Sequence, residues 1–104
     1  MMEPFRWSPP GDETVTFVLK PLDMAGLYRI QSALATSDVP NWECAEAIVS
    51  RHLIGWEGLE QPFSERARRE MLAGAASVRW IAWIGAIVGE LYRRAVLTAE
   101  EKKT

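Results

Sequence analysis

Residues 79–94 read RWIAWIGAIVGELYRR, and this stretch constrains the fold more than any other. At about 3.6 residues per turn, Trp80, Ile84, Ile87 and Leu91 fall along one stripe of a helix, with Val88 close to Ile87. Ile81, Trp83 and Tyr92 spread round to neighbouring directions. A surface helix shows a single apolar stripe of about 100°. This one is apolar almost all the way round its middle turns, so it requires cover on more than one side. Three kinds of cover suggest themselves: a bilayer, the rest of the chain, or another polypeptide.

Length excludes a bilayer span. The uninterrupted apolar run from Trp80 to Gly89 has ten residues, about 15 Å of helix against a hydrocarbon core of about 30 Å. Arg79 closes one end, and Glu90, Arg93 and Arg94 close the other. A helix lying flat on the bilayer requires a clean polar face, which the middle turns lack. Core or interface remains, and the two can coexist. In an interface Trp80, Trp83, Ile84, Ile87 and Leu91 are the expected contact residues, since tryptophan is a common anchor there. Gly85 and Gly89, four apart, line one face and permit close backbone approach of another element, at a cost of about 1 kcal/mol each relative to alanine inside a helix.

The remaining segments provide partial cover. Phe5 and Trp7 alternate with Arg6 and Ser8, SPPGDE supplies a reversal, and Val15, Phe17 and Leu19 share one face of TVTFVL. This pattern predicts a β-hairpin over residues 1–20, which must lie on helices because a lone hairpin is marginal in water. Asp23 is the expected N-cap of a first helix with Leu27, Ile30 and Leu34 inward, flanked by Met24 and Tyr28. TSDVPN ends that helix, and a second runs from about Trp42 to Leu53 with Trp42, Ala45, Ile48, Val49 and Leu53 inward. GWEGLEQPFS (55–64) reads as a loop, with Gly55, Trp56 and Gly58 forming its turn and Trp56, Leu59 and Phe63 pinning it to the core. Ser64 caps a third helix that Gly74 ends. The last helix spans Ser77 to Leu97. The expected architecture is therefore mainly α, a four-helix domain over 1–97 with an N-terminal hairpin packed on the helices. A polar tail follows at 98–104, where Thr98 and Glu101 have capping-box spacing for one more turn.

Chemistry is sparse. Cys44 is the only cysteine and His52 the only histidine. Eight residues apart on one helix they stand about 12 Å from each other, too far to share a metal or form a nucleophile pair. Glu43 and Glu46 lie on a polar helix face, and Glu57 sits between two glycines in GWEG. No phosphate loop, GxSxG or HExxH motif is present. The expectation is a chain without catalytic residues, cofactor or metal.

Net charge is −2, too small to indicate a polyanion partner. Arg66, Arg68 and Arg69 are interrupted by Glu65 and Glu70, with no interleaved aromatic platform, which argues against nucleic acid. The charges are nevertheless segregated. Residues 1–63 carry four basic and nine acidic side chains, a balance of −5, and residues 64–104 carry eight and five, a balance of +3. Such polarity can steer an encounter or a self-contact. The start MMEPFRWSPPGDE lacks the basic-then-apolar pattern of a signal peptide, and a lone cysteine suits a reducing cytoplasm.

In order along the chain, FVLKPLDMAGLYRI, AIVSRHLIGWEGLEQPFS, the apolar helix and LTAEEKKT resemble the small tail assembly chaperones of long-tailed bacteriophages and prophages. In that family a short strand enters a PL(T/D) helix start, and a helix runs into a GWEG-like turn. A PFS-like helix start and an LTxEEKxx end complete the pattern. The short EQP spacer and Pro9-Pro10 depart from it. The resemblance implies a non-enzymatic protein that binds the tape-measure protein and tail-tube subunits in the host cytoplasm and is absent from the mature virion. It also implies a longer product made by ribosomal frameshifting, for which codons around Lys102-Lys103 are the candidate slippery run. The alternative carried by the residues alone is a small cytosolic helical adaptor or regulator, acting by protein–protein contact or self-association without a phage role.

Overall fold

The computed structural model describes residues 3–36, 42–73 and 78–103. Three strands and four helices follow in the order β1 (Phe5–Trp7), β2 (Thr16–Leu19), α1 (Met24–Thr36), α2 (Trp42–His52), β3 (Leu53–Glu57), α3 (Glu65–Ala73) and α4 (Val78–Lys103). The chain is thus mostly α, as its patterning predicts, and the N-terminal hairpin is present.

The hairpin is not alone. The sheet has three antiparallel strands in the order β1-β2-β3, and the third lies where a helix end and a loop are expected. α2 stops at His52, and Leu53–Glu57 pair with β2, Phe17 opposite Trp56 and Val18 opposite Gly55. Gly55 and Trp56 are therefore strand residues, not turn residues. Two local devices explain why the segment does not advertise itself. The register shifts at Val18/Leu19, so that Leu19 faces Leu53 and Ile54 is passed over. Leu53 and Trp56, three apart, both reach the core while Ile54 stays partly exposed, which erases the period-two pattern. Gly55 leaves room for Val18, whose Cβ and Cγ2 stand 3.3 Å from where a Cβ on the glycine would be.

Gly58 does form the expected turn. Its φ is +87°, and a Cβ there would lie 2.1 Å from the carbonyl oxygen of Thr14, so only glycine fits.

The helix caps follow the sequence. Asp23 Oδ1 accepts from the Gly26 N–H at 2.7 Å, and Ser64 Oγ accepts from the Ala67 N–H at 2.9 Å. The Asp23 carboxyl is held below its ordinary value chiefly by that backbone bond, against the opposing effect of partial burial. Gly74 and Ser77 lie outside the described residues. α4 continues past Leu97 to Lys103 as one helix, so 98–103 extends the helix rather than forming a separate tail.

One core joins both layers. Val15, Phe17 and Leu19 from the hairpin meet Ile48, Val49, Leu53, Trp83, Ile84, Ile87 and Leu91. Trp42, expected inward, falls outside it at 43% exposure, while Ile30 is buried as expected and the flanking Met24 and Tyr28 are largely exposed. The side chain of Leu34 lies outside the described residues.

Candidate interaction surface

α4 has two unlike faces, and the residues on each decide what it can bind. Trp83, Ile84, Ile87 and Leu91 are buried, at 5% exposure or less. Trp80 is half-buried and packs against the same cluster. In the folded chain four of the five residues expected at an interface belong to its own core, and Trp80 packs half-buried against them. The indoles are locked by geometry. Trp80 and Trp83 stack edge to face at 5.0 Å, Phe17 meets the edge of Trp83 at 5.6 Å, and Trp56 lies 5.6 Å from Trp80 and 4.9 Å from Phe63. One indole bond crosses the fold and another closes a local turn: Trp83 Nε1–H donates to Asp12 Oδ2 at 3.0 Å in the hairpin turn, and Trp56 Nε1–H to the Gln61 carbonyl, five residues on, at 2.7 Å.

The sector beside this buried face is different. On a helical wheel at about 100° per residue, Ile81, Gly85, Val88, Gly89 and Tyr92 cluster together. Gly85, Val88, Gly89 and Tyr92 form one wall of an apolar cleft of about 190 Å³, with Ile30 and Ala33 of α1 and Cys44 and Ala45 of α2 as the other walls. No charged side chain lines it. Ile81, one turn before Gly85, is 54% exposed. A Cβ added at Gly85 or Gly89 would meet nothing within 4 Å. The close approach that the two glycines permit is thus unused by the rest of the described chain.

Just beyond the cleft an ion-pair cluster stiffens α4. The Glu90 side chain, 11% exposed, accepts from Arg93 Nη2 and from Arg94 Nε, each at 2.7 Å. These bonds, that of Arg93 foremost, hold the Glu90 carboxyl below its ordinary value despite partial burial. The Arg94 guanidinium also lies 3.8 Å from the centre of the Phe5 ring, fastening α4 to β1.

Cys44 and His52 stand at opposite ends of α2 with separate surroundings. Cys44 lines the apolar cleft, its thiol 3.8 Å from the Arg29 carbonyl. His52 is buried, and its Nδ1 lies 2.8 Å from the Lys20 carbonyl. A carbonyl only accepts, so Nδ1 carries the proton. The His52 carbonyl in turn accepts from the Lys20 N–H at 2.7 Å, which makes this residue the latch between β2 and the α2–β3 junction. Among the described residues no three His, Cys, Asp or Glu side chains converge on a metal-sized site, and no helix is long and apolar enough to cross a membrane.

Sequence reasoning found the glycine pair but not the walls facing it. Ile30 and Ala45 read as ordinary inward positions of α1 and α2, Ala33 and Cys44 carry no such signal, and only the packing of three helices shows that all four line an open cleft beside α4. Comparison with known proteins gave no matching family, no matching curated protein and no matching solved structure.

Proposed function

We propose that this chain is a non-enzymatic assembly factor of the tail-chaperone type, which holds an apolar helical segment of a tape-measure protein and meets tail-tube subunits during assembly. It would act in the cytoplasm of a bacterial host and leave before the virion matures. The reading rests on the resemblance of the segment order and on one observation: the apolar cleft over Gly85 and Gly89 is open while the tryptophans beside it are internally satisfied. A chaperone for a long, sticky, helical client requires exposed apolar surface of limited extent, kept soluble by neighbouring charge. Glu90, Arg93 and Arg94 supply that charge. Small side chains on the cleft walls let a client helix approach α4 closely, in the manner of helix-in-groove recognition.

The test is co-purification with a tape-measure fragment. Gly89→Leu fills the cleft from a position where an added Cβ meets nothing within 4 Å, so the fold should survive while recovery of the fragment falls about tenfold or more, a loss worth at least 1.4 kcal/mol. A folded Gly89→Leu chain that recovers the fragment undiminished overturns the assignment of the cleft. A chain that ignores tape-measure and tail-tube fragments alike overturns the chaperone reading itself.

A further inference from the structure

A second groove, of about 390 Å³, runs between α2 and α3, and its walls are sorted by charge. Glu43 and Glu46 stand on the α2 wall, Arg68 and Arg69 on the α3 wall, and Leu72 contributes apolar lining. Glu65, in the first turn of α3, is the one carboxylate on the basic side. Arg68 is held in place by donating from Nη1 to the Leu53 carbonyl at 2.7 Å. The sorting repeats, at close range, the segregation of charge between the two halves of the sequence.

We propose that two copies of this chain associate face to face through this groove, with the twofold axis running along it. Rotation about an axis parallel to the walls carries α2 of each copy over α3 of the other, so each acidic wall meets a basic one. An axis across the groove would instead stack α2 on α2 and oppose like charges. A twofold contact makes every favourable pairing twice. A second copy also fits better than other partners. A uniformly acidic or basic surface satisfies one wall and is repelled by the other, whereas a second copy brings both charges at matching spacing. Complementarity of this kind sets register and speeds encounter, and salt screens it. The proposal is independent of the apolar cleft, which lies on the other side of α2 between α1 and α4.

Analytical ultracentrifugation tests it. At low ionic strength the mass should rise from 11.7 kDa towards twice that with concentration, and fall back as salt is added. Glu46→Arg and Arg69→Glu should each weaken association about tenfold or more by opposing like charges. Mixing the two variants should restore a heterodimer. Far-ultraviolet circular dichroism establishes that each variant is folded, and the salt titration of the unaltered chain decides the matter if either is not. A chain that stays monomeric throughout overturns the proposal. So does a dimer that survives both high salt and Arg69→Glu, or a mixture of folded variants that fails to associate.

Discussion

Two residues apart on α4, Trp83 and Ile81 live in different worlds. Trp83 is 5% exposed, ringed by Phe17 and Trp80 and tied to Asp12 seventy-one positions away. Ile81 is 54% exposed beside an open cleft. The helix is greasy on both sides, but the described residues supply aromatic and aliphatic partners to finish only one of them. The sheet completes the tryptophan side. On the glycine side α1 and α2 approach and stop short. Hydrophobicity alone therefore does not tell core from contact surface; the count of neighbours a fold can supply does.

The sharpest way to break this contrast is to truncate each residue. Trp83→Ala should destabilise the fold by about 3–5 kcal/mol, through lost burial, an aromatic-sized cavity and the loss of the hydrogen bond to Asp12. Ile81→Ala should change stability by no more than about 0.5–1 kcal/mol. Chemical denaturation of the two variants measures both, and equal losses would erase the distinction between the faces.

The glycine side makes the opposite prediction. Gly85→Ala and Gly89→Ala should each raise stability by up to about 1 kcal/mol, because alanine is the better helix former and its methyl group meets nothing. A loss of stability in thermal melts would mean that another element does occupy the glycine face in solution.

The smallest expected effect is electrostatic and reports on the rim. The folded-state pKa of Glu90 is depressed, so its ion pairs contribute stability above the ordinary value of 4.5. That contribution is lost as pH falls through the depressed folded value. Asp23 behaves in the same sense from 3.8 downward. Glu90→Gln should therefore flatten the acid limb of a stability-against-pH curve while leaving the neutral-pH fold intact. An unchanged acid limb would remove Glu90 from the account.

Much of the fold is legible locally. Asp23 and Ser64 announce their helices because an N-cap acts within three residues, and the alternation of Val15, Phe17 and Leu19 marks the hairpin because pleating is a two-residue rule. The third strand is illegible for a physical reason. Its existence depends on β2 presenting an unpaired edge, and its bulge at Ile54 and small residue at Gly55 hide the alternation that would reveal it. The candidate surface is legible only in half: Gly85 and Gly89 stand out as costly residues in a helix, whereas nothing local to Ile30, Ala33, Cys44 or Ala45 says that they line an open cleft.

The sequence by itself determined that α4 is a helix too apolar for solvent, with an apolar run too short for a membrane, since both follow from periodicity and rise per residue. Which of its faces the domain consumes was decided only in three dimensions. That choice depends on the sheet arriving over Trp80 and Trp83 while α1 and α2 halt at the rim of the glycine face, and burial is a property of distant chain segments meeting, which no local pattern encodes.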